Sequence, residues 1–554
     1  MSFKKQPQKS SQAFFSKKSF IFFFIFFLTI FTRFYKLDWG DSLFFHPDEN
    51  NMASSVSKLE IGDLNPHFFA YGQFPLYLGF FTLHLFKLHN TFINSIMILR
   101  FYSAFFSSIS LIIFYLISKK LFFSFKQTVL LLLILIFTPG LIQLAHFGTT
   151  ESLLIFIFSA NILLAINFYK NQSFVNIFLS SIITGIGLAS KITSLFFLGP
   201  ILLSIFFTFF KSNKKNYLLL VTSYLLLNSF IFFLFFSPYN LTANSNFKST
   251  LDYETSLAVG KTKVFYTNQF LDSIPILFQF TKIFPYAIGL LVLTFSILGF
   301  TFLIKSFINK SYLINHKSLA IYWLIILIPS SVYFFYNSFL YTKWFRFMSP
   351  VFFIFPFLSI LFFQQIKKHK LISKILTIFS ILPGIIFFSI YIKPDIRTTA
   401  SNWLNQNIPP NTKILSEAGN VVNLPVTHHQ FDINNFDFYN LDTNSDLPKE
   451  LVNQIHQSHY ILIPSRRMFK NQYRRHPESE LSDEGSPFPY SQKYYQALFS
   501  GQLGFKKIKQ FSVFPSFLSD ENAEETFSVF DHPVIRVYKK QNYLSKEEIE
   551  NLIL

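Results

Sequence analysis

The chain has 554 residues, of which 51% are hydrophobic, 20% aromatic and only 14% charged, with a mean hydropathy of +0.37. A soluble protein carries about 25% charged residues, so an ordinary soluble enzyme is excluded. The net charge of +19 is parcelled into short loops between apolar runs, which argues against nucleic acid as a partner. The absence of cysteine removes disulfides, thiolate nucleophiles and thiolate metal sites.

The N-terminal MSFKKQPQKSSQAFFSKK is basic and polar, and the apolar run SFIFFFIFFLTIFT follows it. No small-residue cleavage site comes next, so the run reads as a retained first span and not a removed signal peptide. Lys18 and Arg33 would snorkel to its two interfaces. Hydropathy predicts spans near 19–34, 100–118, 128–146, 150–168, 173–189, 193–210, 217–237, 284–304, 318–336, 347–364 and 373–391. That makes about eleven crossings of the roughly 20 apolar residues that a bilayer core of about 30 Å requires.

The stretch FPLYLGFFTLHLF at 74–86 is short, opens near a proline and contains His84; it reads as a helix lying on the membrane surface. With that choice the inner segments are 1–18, 119–126, 169–172, 211–216, 305–317 and 365–374. They hold 19 Lys and Arg and no Asp or Glu, so all 29 acids fall outside. Positive charge concentrated in short inner loops is the expected pattern for a membrane protein. The predicted organisation is a cytoplasmic tail 1–18, a membrane domain 19–393 with a first outer loop 35–99, and an outer soluble domain 394–554.

The soluble part loses the Phe-rich pattern. TASNWLNQNIPPNTKILSE predicts a helix, a turn and a strand; HYILIPS and FSVFDHPVIRVYKK predict strands; YYQALFSGQLGF predicts a helix closed by glycine. SKEE at 545–548 predicts a capping box for a last short helix. The fold class is therefore a multi-pass α-helical membrane protein with a small C-terminal α/β domain.

Ionisable residues are rare in the membrane portion and gather at its outer face. LDWGDSLFFHPDENN places His46, Asp48 and Glu49 just behind the first span. HFGTTES places His146 and Glu151 at the turn between the third and fourth spans. Arg100 opens the second span, GLASKITS carries Lys191, and YTKWFRFMSP carries Lys343 and Arg346. Charges beside lipid are costly unless they meet water, a partner or a substrate. The mixture of acids and bases at one face suits transfer of a sugar from a lipid phosphate to a hydroxyl. A carboxylate takes the acceptor's proton and cations stabilise the departing phosphate. A transporter or flippase of lipid-linked sugars is the alternative. It would show repeat symmetry and charges near the midplane, and neither is evident in the sequence. His428 and His429 read as surface residues rather than metal ligands, and RRMFKNQYRR at 466–475 as a solvated face.

The order of HPDE (46–49), an Arg opening the second span, HFGTTES (146–152), GLASK (187–191), KWFRFMSP (343–350) and a tail beginning SNWLNQNIPPNTKI resembles the GT-C membrane glycosyltransferases. More narrowly, it resembles the bacterial relatives of protein O-mannosyltransferases and aminoarabinose transferases. The resemblance implies a polyprenyl-phosphate sugar donor and a hydroxyl acceptor on a protein, lipid or polysaccharide, met at the outer face of a bacterial plasma membrane. It puts the catalytic carboxylate on Asp48, with Glu49 beside it and Glu151 as the second-loop acid. Arg346 and Lys191 would contact the donor phosphate, with Arg100 and Lys343 as further cations and His46 and His146 in the pocket. A divalent metal is neither required nor excluded.

Overall fold

The computed structural model describes residues 17–41, 43–211, 215–309, 315–418, 424–426, 430–472 and 488–554. The N-terminal tail up to residue 16, His428 and His429, and residues 473–475 of the basic run lie outside the described residues. Each of the eleven hydropathic stretches is helical. Among the described residues, seven helices are long and apolar enough to cross a bilayer: Phe92–Lys120, Glu151–Asn171, Ile192–Lys211, Lys215–Phe236, Pro285–Ile308, Lys317–Phe339 and Lys370–Ile392. Two further helix pairs are long and apolar enough only when taken together, each a broken span or a re-entrant loop: Phe125–Ile136 with Pro139–His146, bent by 53°, and Phe345–Val351 with Ile354–Gln365, bent by 52°. The two remaining apolar stretches form Lys17–Phe34 and the shorter helix Phe174–Leu188, so seven to nine of the eleven expected spans are long and apolar enough to cross. Both bends have a proline at or within the element beside the break, Pro139 and Pro350, as a ring that displaces the backbone donor demands.

Gln73–Leu85 is a helix of 13 residues, about 20 Å long at 1.5 Å per residue and too short to cross. It packs with Pro47–Ser57 and the start of Phe92–Lys120 around Met52, Val56, Leu76, Phe80 and Leu99. This small satellite core fixes the segment that carries HPDE.

Among the described residues, the C-terminal part holds five strands: β1 (Lys413–Ala418), β2 (Asp432–Asp437), β3 (Tyr460–Ile463), β4 (Phe505–Phe511) and β5 (Ile535–Lys540). Their order is β2-β1-β3-β5-β4, with β1 parallel to β2 and β3 and the other pairs antiparallel. Successive side chains of a strand point to opposite faces, and both faces are covered. Ile461 and Ile463 of β3 pack with Leu451, Tyr494, Leu498 and Ile549 from three helices of the domain. Tyr460 and Leu462 join the core that continues into the membrane helices through Ala400, Leu404 and Tyr391. Gly501, at φ +84°, closes Pro489–Ser500, and Ser545 with Glu548 forms the capping box.

Two sequence expectations are corrected here. FSVFDHPVIRVYKK is a strand only from Ile535; Glu525–Ser528 is one helical turn, and Phe527, Phe530 and Asp531 are buried against the spans. Arg466 and Arg467 are not a solvated face. Arg466 donates to the carbonyls of Glu521 and Ala523, and Arg467 pairs with Glu525 at 3.1 Å, so the segment 520–532 covers both.

Candidate active site

His46 caps the helix Pro47–Ser57 and Pro47 occupies its first turn, where the missing N–H costs nothing. Consecutive helical residues lie about 100° apart around the axis, so Asp48 and Glu49 face different surroundings. Asp48 points into a cavity of about 400 Å³ lined also by Tyr71, Lys191, Glu254, Arg346 and Arg467. Glu49 points away into protein.

At the cavity, the Asp48 carboxylate pairs with the Arg346 guanidinium, and both side chains keep about a quarter of their surface exposed (23% and 24%). Arg346 Nη1 also donates to the Tyr71 hydroxyl at 2.8 Å. Lys191 reaches the same space, over the ring of Phe347 at 5.0 Å, and pairs behind it with buried Glu151 at 3.5 Å. The backbone brings Tyr71 and Lys191 together: Gly72 N–H donates to Ser190 O (2.9 Å) and Phe74 N–H to Ala189 O (3.0 Å). A Cβ on Gly72 would lie 1.9 Å from Ala189 O, so only glycine permits this approach. Burial pushes the Tyr71 phenol well above its usual range, and the Glu151 and Glu254 charges push the same way. Tyr71 therefore stays a neutral donor and acceptor.

Glu49 and Arg100 form a closed unit with both side chains fully buried. Arg100 Nε and Nη2 donate to the two Glu49 oxygens at 2.6 and 2.7 Å, and Gly148 N–H donates to Glu49 Oε1 at 2.7 Å. Arg100 Nη1 donates to the carbonyls of Leu37 and Trp39, beneath the Trp39 ring at 4.5 Å. A bidentate pair of this kind is strong and fixes geometry. It clamps HPDE to HFGTTES and to the second span.

The structure thus brings Asp48, Arg346 and Lys191 into one cavity with Glu151 behind, and puts Glu49, Arg100, Lys343, His46 and His146 elsewhere. Lys343 donates to Ser273 Oγ and Tyr341 O, and burial lowers its ammonium. His146 is spanned by the carbonyls of Ile142 and Tyr35 and stacks on Tyr391 at 3.7 Å. His46 lies between the rings of Phe147 and Phe530, accepting at Nδ1 from Glu49 N–H. Burial, reinforced by the charges of Arg346, Arg100 and Arg467, holds its imidazole neutral. Among the described residues no group of three or more His, Asp and Glu could hold a metal ion.

Sequence reasoning missed Tyr71, Glu254 and Arg467. Arg467 follows the end of β3, a loop position where functional groups collect, and that was its only available signal. The C-terminal sheet domain braces the cavity as well. Phe345 N–H, next to Arg346, donates to Glu524 Oε2 at 3.0 Å, and Glu525 N–H donates to Gln269 at 3.2 Å. Asp531 accepts from Gln143 Nε2 (3.1 Å to each oxygen) and from the Tyr391 hydroxyl (2.9 Å). The cavity is therefore built jointly by membrane helices and sheet domain.

Residues 23–250 match the family model described as dolichyl-phosphate-mannose-protein mannosyltransferase. No curated protein matches the chain in sequence. The oligosaccharyltransferase of Archaeoglobus fulgidus in the apo form is similar in structure, with a TM-score of 0.52 at 12% identity over 96% of this chain and 89% of that one. ArnT from Cupriavidus metallidurans in the apo state gives a TM-score of 0.49 at 11% identity, covering 82% of this chain and 93% of that one. ArnT bound to undecaprenyl phosphate gives 0.47 at 10% identity, covering 93% and 97%. The chain is a multi-pass helical membrane protein that shares its fold with the Archaeoglobus fulgidus oligosaccharyltransferase, and its residues 23–250 match the dolichyl-phosphate-mannose-protein mannosyltransferase family model.

Proposed function

We propose that the protein transfers a sugar from a polyprenyl-phosphate donor to an acceptor hydroxyl, with inversion and with Asp48 as general base. One observation carries this reading: Asp48 and Arg346, 298 residues apart in sequence, meet in a membrane-face cavity with Lys191 on its wall. The acceptor oxygen attacks the anomeric carbon and its proton passes to the Asp48 carboxylate. The bond from that carbon to the phosphate oxygen breaks, and the electron pair leaves with the polyprenyl phosphate. Arg346 and Lys191 stabilise that departing charge. Arg346 is paired with Asp48; a donor phosphate competing for the guanidinium frees the carboxylate to act as a base. Tyr71 keeps Arg346 in place, and the Glu49–Arg100 pair keeps Asp48 in place. A one-step displacement with a single carboxylate inverts the anomeric centre.

The same reading places the cavity at the outer face of a bacterial plasma membrane, with about eleven spans and a cytoplasmic N-terminus. The segregation of lysine into the opposite loops supports it. The complex of ArnT with undecaprenyl phosphate supplies the choice of donor to test first. Purified wild type, given a panel of polyprenyl-phosphate sugars and candidate acceptors, should release polyprenyl phosphate. Asp48→Asn should lower that rate about 100-fold or more while retaining donor binding. Equal release by both proteins would remove Asp48 as the base.

A further inference from the structure

The turn between β4 and Glu525–Ser528 has a feature that glycosyl transfer does not use. Pro515 leads into a single tight turn, Ser516–Leu518, in which no residue is buried. Phe517 is 82% exposed, the highest value for a large apolar side chain among the described residues, and Leu518 beside it is 42% exposed. Phe210, Phe235, Ile308 and Leu371, which come close to it in exposure, lie on helices of the membrane part, whereas Tyr543, at 77%, lies in the sheet domain.

The base of the turn is held at both ends by the termini of membrane-spanning segments. Lys393, directly after the span Lys370–Ile392, donates from Nζ to Val513 O at 3.0 Å. On the far side Glu524 N–H donates to Lys282 O at 2.8 Å, just ahead of the span Pro285–Ile308. Between these anchors Phe514 is buried against the His532 ring, and Asp520 accepts from His532 Nε2 at 2.6 Å. The base is thus rigid and sits at the level where helices leave the bilayer. Its tip, Pro515–Ser519, carries an aromatic and an aliphatic side chain and no charge, with Lys393 and Lys282 at its base; aromatic side chains are favoured at the membrane–water interface.

We propose that the turn Pro515–Ser519 is a lipid-contacting loop of the soluble domain, whose Phe517 and Leu518 insert into the leaflet on that side. The loop gives the sheet domain a hold on the bilayer separate from its hydrogen bonds to the helices. It also sets how the domain meets the membrane surface over which a lipid donor arrives. The inference needs only a membrane-embedded chain and does not depend on the proposed reaction.

The cysteine-free sequence allows a direct test. Phe517→Cys, labelled with a nitrobenzoxadiazole dye, is placed in nanodiscs with and without doxyl-labelled lipid. The control is Tyr543→Cys, 77% exposed. It follows the far end of β5, since Ile535 pairs with Phe511 near the membrane while Lys540 pairs with Phe505 at the other end. The expected result is a blue-shifted emission at 517, quenched at least twofold by doxyl lipid, and a water-like, unquenched emission at 543. Water-like emission at both positions would overturn the proposal. So would a label at 517 shielded from aqueous iodide yet unquenched by doxyl lipid, which would assign the turn to a second copy of the chain or another protein. Leu518→Cys, labelled in the same way, provides an independent position should the first variant fold poorly.

Discussion

Glu49→Gln tests whether the second acid of HPDE acts on substrate or only holds the site. The wild-type carboxylate satisfies two Arg100 donors and the Gly148 N–H in a place that water does not reach. An amide there can accept at one oxygen but turns an N–H against a guanidinium N–H. Removing one partner of a buried pair typically costs about 3–5 kcal/mol. Arg100 keeps the carbonyls of Leu37 and Trp39 and the Trp39 ring, which favours the lower end, about 3 kcal/mol. That is a large share of a stability of about 5–15 kcal/mol. At no more than about 2 °C per kcal/mol for a chain of this length, Tm should fall by about 6 °C. The assay is loss of monodisperse protein on heating in detergent, run as a cycle with Arg100→Met and the double variant. Because Arg100→Met removes the orphaned charge, the double variant should be less damaged than the sum of the singles, by about 1–3 kcal/mol. Strict additivity would refute the closed-pair reasoning. A Glu49→Gln protein with wild-type Tm and no turnover would refute it more directly, by giving Glu49 a role on the substrate.

Arg346→Ala should raise the donor KM about 10- to 100-fold, from loss of a charge-assisted contact of about 1.5–3 kcal/mol, as read by polyprenyl phosphate release against donor concentration. Glu524→Ala should lower turnover several-fold by loosening the backbone at Phe345, with partial rescue by Glu524→Gln, which keeps an acceptor there. Burial disfavours the charged His532 imidazole, but the carboxylates of Asp531 and Asp520 outweigh it and raise it to about 10. A group raised in the folded state stabilises fully below its unfolded value of about 6.5 and loses that contribution as pH rises towards 10. Tm measured from pH 6 to 10 should therefore fall, and His532→Gln should flatten that fall while lowering Tm at pH 6.

The membrane part was legible because hydropathy and lysine placement report directly on burial in lipid and on loop location. The bends at Pro139 and Pro350 were not, since a hydropathy window sums side chains and ignores the axis. Asp48, Arg346 and Lys191 could be named because a charge near lipid needs a reason to be there. The separation of Asp48 from Glu49 was in principle readable: His46 and Pro47 signal a helix start, and neighbours on a helix diverge. Arg100 and Lys343 carry the same sequence signal as Arg346; only their three-dimensional partners, Glu49 for one and Ser273 for the other, distinguish them. Tyr71 is one of 26 tyrosines, and nothing local marks it until Gly72 docks on Ala189. Arg466 and Arg467 were misjudged because the acids and carbonyls that cover them arrive more than 50 residues later.

The joint construction of the cavity also sets a schedule for biosynthesis. At about 5–20 residues per second, Arg346 is made roughly 15–60 s after Asp48, and Glu524 later still. Residues 23–250, the part that matches the mannosyltransferase family model, are thus synthesised well before Arg346 exists. A ribosome stalled before Arg346 leaves a chain whose Asp48 lacks the guanidinium it pairs with. The cavity, lined also by Arg467, Thr526 and Phe530, is thus complete only once the C-terminal part has been made.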